Sequence, residues 1–272
     1  MSRDVARSYL YVPGSRPDRF DKACAAGADA VIVDLEDAVA PADKLSARQA
    51  VTAWLSPRKA VFIRVNGVDT EWFAKDLDAC DAAGVIGVVL PKAEKIGDDV
   101  IALCCKRGIV LLPLIETALG MAQAAAVATT PCVQRLLFGT IDFQLELGIE
   151  GDGDELLAFR SQLVLASRLA GIQAPVDGPC TSWTDVDLLQ ADARRARKLG
   201  FGGKLCIHPH QIASVNAAFS PSEAEVAWAH KVLDAARRSA GAAVAVAVDG
   251  KMVDRPVVLK AERIVRDAGA NG

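Results

Sequence analysis

Short apolar runs in this chain end, again and again, on a charged residue. Val31-Ile32-Val33 leads into Asp34-Leu35-Glu36, and Val61-Phe62-Ile63 into Arg64. Leu111-Leu112-Pro113-Leu114-Ile115 leads into Glu116, and Leu136-Leu137-Phe138-Gly139-Thr140-Ile141 into Asp142. Each run is apolar enough to be buried on both faces, as parallel strands are, and each ends on a group that is costly to bury alone. Successive ends recur roughly every thirty residues, the length of one βα unit in a (β/α)8 barrel. In that fold the C-terminal strand ends converge on one mouth, so Glu36, Arg64, Glu116 and Asp142 are expected around a single cavity. Carboxylates and a guanidinium on one cavity suit a hard cation and an anionic substrate.

The rest of the chain follows the same beat. Strands are expected over 8–12, 30–35, 61–65, 87–90, 109–115, 136–138, 174–176 and 204–207. Helices are expected over 16–26, after Pro41, and over 69–83, 98–107, 118–128, 156–170 and 185–199, several of them stopped by glycine. Eight strands and seven interleaved helices, joined by short loops, predict an α/β TIM barrel. An open doubly wound sheet is the alternative, weakened by the lack of a Gly-rich phosphate fingerprint. The 272 residues divide into a catalytic barrel over 1–218 and a C-terminal extension over 219–272. The extension reads as a helix over 222–240, a β-branched and alanine run over 242–248, an Asp249-Gly250 hairpin turn, then a strand and a final helix. It holds too little apolar material to fold alone, and is expected to pack on the barrel and on a neighbouring subunit.

Several function classes drop out. A net charge of −3 argues against a nucleic-acid partner. Arg194, Arg195, Arg197 and Lys198 read as the solvated face of a helix. No apolar run is long enough to span a bilayer and none resembles a signal peptide, so a cytoplasmic protein is expected. The seven cysteines form no CxxC; Cys24, Cys80, Cys132 and Cys206 read as reduced core thiols, and adjacent Cys104-Cys105 suit neither a disulfide nor zinc. GxSxG, HExxH and P-loop patterns are absent. His208, in Cys-Ile-His-Pro-His, reads as a packed strand-end residue.

Glu116 and Asp142 lie one βα unit apart, and a magnesium ion completed by water and substrate oxygens would compensate both. The alternative is pairing with Arg64 or Lys92. Arg64 has a planar fork suited to a substrate carboxylate or carbonyl, or else to a salt bridge with Glu36 or Asp37. Glu36 and Asp37 would then hydrogen-bond water on the metal.

Seven segments in order carry a resemblance: Tyr9-Leu10-Tyr11-Val12-Pro13-Gly14, Val33-Asp34-Leu35-Glu36-Asp37-Ala38-Val39, Ile63-Arg64-Val65-Asn66, Leu90-Pro91-Lys92, Ile115-Glu116-Thr117-Ala118, Gly139-Thr140-Ile141-Asp142 and Gly203-Lys204-Leu205-Cys206-Ile207-His208-Pro209. Over nearly its whole length the chain resembles the citrate lyase β-subunit-like branch of the HpcH/HpaI aldolase superfamily. The resemblance implies a TIM barrel that binds Mg2+ and breaks or forms a carbon–carbon bond beside a CoA thioester. It implies metal ligands at Glu116 and Asp142, a substrate-binding arginine at Arg64, and CoA contacts at Ser15 and Arg16. Met252-Val253-Asp254 is similar to a C-terminal segment that, in the malyl-CoA lyase branch, reaches a neighbouring active site. By that likeness Asp254 is a catalytic acid delivered in trans, within a homotrimer. The expected substrates are a 3-hydroxyacyl-CoA such as citryl-, malyl- or citramalyl-CoA, and the products a small keto acid and acetyl-CoA. Two other readings share these residues: a CoA-free hydroxy-keto-acid aldolase, and a non-catalytic partner of an acyl-carrier complex.

Overall fold

The computed structural model describes residues 6–239, 246–249 and 251–269. The chain divides into two compact units, the larger over 5–216 and the smaller from Ala217 onward. In the larger unit the strands are β1 (Ser8–Pro13), β2 (Ala30–Asp34), β3 (Val61–Arg64), β4 (Val85–Leu90), β5 (Val110–Ile115), β6 (Leu137–Phe138), β7 (Val176–Asp177) and β8 (Gly203–Cys206). They form a closed parallel barrel in sequence order, shut where Ser8 of β1 pairs with Lys204 of β8. The connecting helices are α1 (Phe20–Cys24), α2 (Lys44–Trp54), α3 (Phe73–Ala79), α4 (Asp98–Arg107), α5 (Ala118–Ala128), α6 (Thr140–Leu147), α7 (Leu157–Leu169), α8 (Val186–Leu199) and α9 (Ile212–Phe219). The expected TIM barrel is what the chain builds.

Side chains alternate along a strand, and this period of two decides what reaches the mouth. Tyr9, Ile32, Phe62 and Leu114 belong to one core cluster that fills the barrel, together with Val89, Leu112, Leu137, Val176 and Leu205. Two residues further along the same faces stand Tyr11, Asp34, Arg64 and Glu116. The apolar plug and the polar mouth are therefore successive layers of the same strand faces.

At the β7–β8 side the barrel is tied by buried charges. Arg160 of α7 pairs with Asp177 at 2.9 Å, Lys204 of β8 with Asp177 at 3.0 Å, and Lys204 with Asp192 of α8 at 2.8 Å. Arg160, Asp177 and Lys204 are wholly buried. Such a set holds only if every charge has a partner. Asp192 also takes Arg195, at 2.6 Å, which in turn lies 3.3 Å from Asp152. Arg195 thus turns inward, and the expected solvated basic face on α8 is corrected at that position.

Other departures have local causes. α6 and α9 were not anticipated: each is short, α6 starts on Gly139 with no side-chain cap, and α9 begins behind a 3-10 turn at Pro209–Gln211. α3 is shorter than 69–83 because Thr70 folds back on the Gly67 carbonyl through both its N–H and its hydroxyl. Cys24 is exposed rather than in the core, since α1 buries Phe20 and Ala23 and leaves Cys24 on its wet face. Cys132 is only half-buried, and its Sγ lies 3.0 Å from that of Cys105.

The smaller unit contains α10 (Glu223–Ser239), strands β9 (Val246–Val248) and β10 (Lys251–Val253), and α11 (Arg255–Gly269). β9 and β10 pair antiparallel, with Asp249 in the turn at φ +50°. Residues 242–245 and Gly250, part of the anticipated run and turn, lie outside the described residues. Ala229, Val232, Ala261 and Ile264 make a small core between α10 and α11, flanked by Val226, Leu233, Val248 and Val253.

Candidate active site

A cavity of about 430 Å3 opens at the C-terminal ends of the strands. Tyr11, Asp34, Asp37, Arg64, Glu116 and Asp142 supply its polar lining; Leu114, Ile141, Pro179, Leu205 and Ile207 form apolar wall. Of the charges anticipated at the mouth, Arg64, Glu116 and Asp142 therefore meet in the cavity lining, whereas Glu36 is not part of that lining and reaches the group only through Arg64. Asp142 arrives differently from expectation: it sits in the first turn of α6, not at the end of β6.

Arg64 is committed to carboxylates. Its Nε and Nη2 donate to Asp34 Oδ1 and Oδ2 at 2.7 and 2.6 Å, so the two-toothed face of the guanidinium is taken by Asp34. Nη1 is left between Glu36 Oε2 at 2.9 Å and Asp37 Oδ2 at 3.1 Å. Asp34 in turn accepts the backbone N–H groups of Glu36 and Ala38, which fixes the β2 exit. The guanidinium lies over the Tyr11 ring, 4.9 Å from its centre. Sequence reasoning passed over Asp34 and Tyr11, although each lies two residues beyond an interior strand position on the same face.

Glu116 is buried, with Oε1 accepting the Lys92 N–H at 2.8 Å. The backbone, rather than the ammonium, of Lys92 is the partner, and Lys92 takes φ +47° to provide it. Oε2 of Glu116 is buried with no donor facing it. Gly139 makes room for this carboxyl: a Cβ there would stand 2.5 Å from both Cβ and Oε2 of Glu116. Burial, reinforced by Glu36 and by Asp142, pushes the Glu116 carboxyl up to about 8. Glu36 rises to about 7, chiefly by burial, with Arg64 pulling the other way. Asp142 is raised as well, by burial and then by Asp37, while Arg64 and Lys92 draw it down.

Two neighbouring carboxyls of raised pKa, one with an orphaned buried oxygen, are what a divalent cation displaces a proton from. Among the described residues no three Asp, Glu, His or Cys side chains converge into a closed cage. A cation resting on Glu116 and Asp142 would be completed by water and ligand oxygens, the usual habit of magnesium and not of a structural zinc. The residues present fit that ion.

The other anticipated residues stand apart. Ser15 and Arg16 occupy the turn after β1, beside Pro13 of the cavity wall, and Arg16 is forked onto Asp18 at 2.9 Å through both nitrogens. Asp254 belongs to the smaller unit, where its Oδ1 accepts the Val257 N–H at 3.1 Å and caps α11. His208 accepts the His210 N–H in a capping box and stacks on Trp183, 4.8 Å between ring centres. Among the described residues no helix is long and apolar enough to cross a membrane.

Comparison with known proteins gives matches over almost the whole chain. Residues 7–209 match the family model described as HpcH/HpaI aldolase/citrate lyase. A citrate lyase subunit beta-like protein of Mycobacterium tuberculosis is 39% identical over 275 residues, covering 98% of this chain and 97% of that one. A (3S)-malyl-CoA thioesterase of Cereibacter sphaeroides is 36% identical over 275 residues, covering 97% and 95%. The crystal structure of CitE from M. tuberculosis with magnesium, acetoacetate and coenzyme A superposes with a TM-score of 0.84 at 37% identity, covering 97% of this chain and 98% of that chain.

Proposed function

Because this chain belongs to the HpcH/HpaI aldolase/citrate lyase family, we propose that its barrel mouth is a magnesium-dependent site for carbon–carbon lysis of a 3-hydroxyacyl-CoA thioester. The products would be a small keto acid and acetyl-CoA, and the same site would run the condensation in reverse. The observation that carries this reading is the Glu116–Asp142 pair, raised in pKa and short of a donor, standing in one cavity with a guanidinium already fixed by Asp34. Magnesium bound by a related CitE together with acetoacetate and coenzyme A supports the same assignment here.

Glu116 and Asp142 would hold the ion. When bound, magnesium supplies a Lewis acid to the substrate's oxygens. The Lys92 N–H keeps the Glu116 carboxylate aimed, and Asp34 keeps Arg64 from swinging out of the cavity. In the cleavage direction the substrate hydroxyl passes its proton to a carboxylate of the cavity lining as the adjacent carbon–carbon bond breaks, giving a keto acid and a thioester enolate that is then protonated to acetyl-CoA. The Arg64 guanidinium, held at the cavity wall by Asp34, Glu36 and Asp37, offsets by its charge the negative charge that passes through the transition state. Leu114, Ile141, Leu205 and Ile207 keep water away from the reactive carbon. Glu36 and Asp37 would accept hydrogen bonds from water on the ion. Ser15 and Arg16 are assigned to the CoA portion, beyond the Pro13 edge of the cavity. Asp254 is assigned to protonating the enolate carbon of a neighbouring subunit within a trimer, a role its exposed position at the head of α11 leaves open.

The likeness to a malyl-CoA thioesterase favours a second outcome, hydrolysis of the thioester after or instead of lysis. A panel of citryl-, malyl- and citramalyl-CoA assayed with Mg2+ separates the two. Lysis releases a keto acid and leaves acetyl-CoA, whereas hydrolysis releases free CoA and an intact hydroxy acid. Release of neither product from any thioester, with or without Mg2+, would refute the proposal, and turnover of free hydroxy-keto acids instead would favour a CoA-free aldolase.

A further inference from the structure

The Tyr11 hydroxyl is buried in the described residues without a hydrogen-bond partner, although the residue's ring is only half-buried and lines the cavity. A buried hydroxyl without a partner in its own chain is uncommon and costs stability, so it points to a partner supplied by a ligand. Its surroundings narrow that occupant. The charged groups acting on the phenol are Arg64, Asp34, Glu116 and Glu36. Asp34 is saturated by Arg64 and by two backbone N–H groups, and Glu116 Oε1 by the Lys92 N–H.

The guanidinium beneath the ring raises a second point. A lone arginine ordinarily grips a carboxylate with two parallel N–H groups, but that face of Arg64 is spent on Asp34. Nη1 is itself turned to Glu36 Oε2 and Asp37 Oδ2, so Arg64 offers a ligand carboxylate or 2-oxo group its charge but no pair of free N–H groups, and a donor must come from elsewhere. The phenol, stacked over the same guanidinium, is the neutral donor available to supply it. Burial pushes the Tyr11 phenol well above its ordinary range; Arg64 opposes this, while Asp34, Glu116 and Glu36 add to it. The group therefore stays protonated and acts as a donor, not as a base.

We propose that Tyr11 is a substrate-contacting residue whose hydroxyl donates to an oxygen of the keto-acid half of the substrate, beside the charge of the Arg64 guanidinium. This rests on the lyase reading above and names the side of the cavity where the acid, as opposed to the thioester, is held.

The test is Tyr11→Phe, which keeps the ring over Arg64 and removes only the hydroxyl. Wild type and variant are titrated calorimetrically with pyruvate at saturating Mg2+, with Mg2+ alone, and with coenzyme A alone. The pyruvate dissociation constant should rise roughly tenfold, the weight of one hydrogen bond to a charged acceptor. The Mg2+ and coenzyme A affinities should not move. The ligand-free variant should melt at or above the wild-type temperature, because the hydroxyl has no hydrogen-bond partner among the described residues. Equal pyruvate affinities would overturn the role of Tyr11 while leaving the lyase reading intact. A lower melting temperature of the ligand-free variant would mark the hydroxyl as structural and likewise overturn it. Absence of pyruvate binding to wild type with Mg2+ would remove the reading on which both depend.

Discussion

Glu116→Gln keeps an acceptor for the Lys92 N–H and deletes the charge, so it isolates what ionising Glu116 does to the fold. Burial holds this carboxyl near 8 against an ordinary 4.5. A carboxyl whose pKa is higher folded than unfolded takes up its proton more readily in the folded state. Its contribution to stability is fully present below pH 4.5 and is lost progressively as pH rises towards 8. At about 1.4 kcal/mol for each tenfold change in proton affinity, the loss by pH 9 is on the order of 3–5 kcal/mol. For a protein of this size that corresponds to roughly 10 °C in melting temperature. Melting curves by circular dichroism in EDTA, from pH 5 to pH 9, should show wild type falling relative to Glu116→Gln by about that amount, with the two converging at pH 5. Excess Mg2+ should restore the wild type at pH 9 and do nothing for the variant. Below pH 8 the wild-type Mg2+ affinity should rise close to tenfold per pH unit, because one proton is displaced as the ion binds. A difference between wild type and variant that does not change with pH, or an Mg2+ affinity flat between pH 6 and pH 8, would refute the assignment of Glu116 as a metal ligand of raised pKa.

Arg64→Lys should not rescue function: an ammonium cannot span both Asp34 oxygens and still present a donor to the cavity, so kcat/KM should fall by about 2 kcal/mol, roughly thirtyfold. A lysine variant of near-normal kcat/KM in the thioester assay would reduce Arg64 to a rim salt bridge. Mixing inactive Asp254→Ala with inactive Glu116→Ala, after dissociation and reassembly, should return partial activity if the tail acts on a neighbouring subunit; hybrids that form and stay inactive would remove Asp254 from the chemistry or return it to its own chain. Asp177→Asn, which strips the buried partner of both Arg160 and Lys204, should cost about 3–5 kcal/mol, read as a fall in melting temperature; an unshifted melt would mean that the network contributes no net stability.

The barrel was legible because its strands are apolar on both faces and end on charge. β2, β3 and β5 announced themselves in this way, and the residues that close them do meet at one cavity. Asp34 was harder to see, because it stands at the end of a strand read as apolar and its role depends on the fork of Arg64 from the next strand. Tyr11 was illegible as a polar group: in sequence it is one more aromatic in an apolar strand, and only its orphaned hydroxyl distinguishes it. The Arg160–Asp177–Lys204–Asp192 set draws on α7, β7, β8 and α8, and nothing local marks Arg160, on an outer helix, as fully buried. α6 and α9 escaped notice for another reason: at eight residues each, they are shorter than the span over which a helical period declares itself.

The charge balance of the mouth has a consequence for the sequence of events in a turnover. Asp34, Glu36 and Asp37 pair with the Arg64 guanidinium and Glu116 and Asp142 line the same cavity, so even with Glu116 and Glu36 raised in pKa the cavity is electronegative towards any substrate carboxylate. A polyanionic acid arriving first would meet net repulsion in a partly enclosed, poorly screened space. Once a dication has docked, the same ring of carboxylates becomes a counter-charge for it and the field at the cavity wall changes sign. If the mouth performs the proposed reaction, binding is expected to be ordered: cation first, acid second, with the acid product leaving before the cation. Initial-rate kinetics would express this as acid binding that vanishes as free cation approaches zero, and as a cation trapped more tightly the more acid is present.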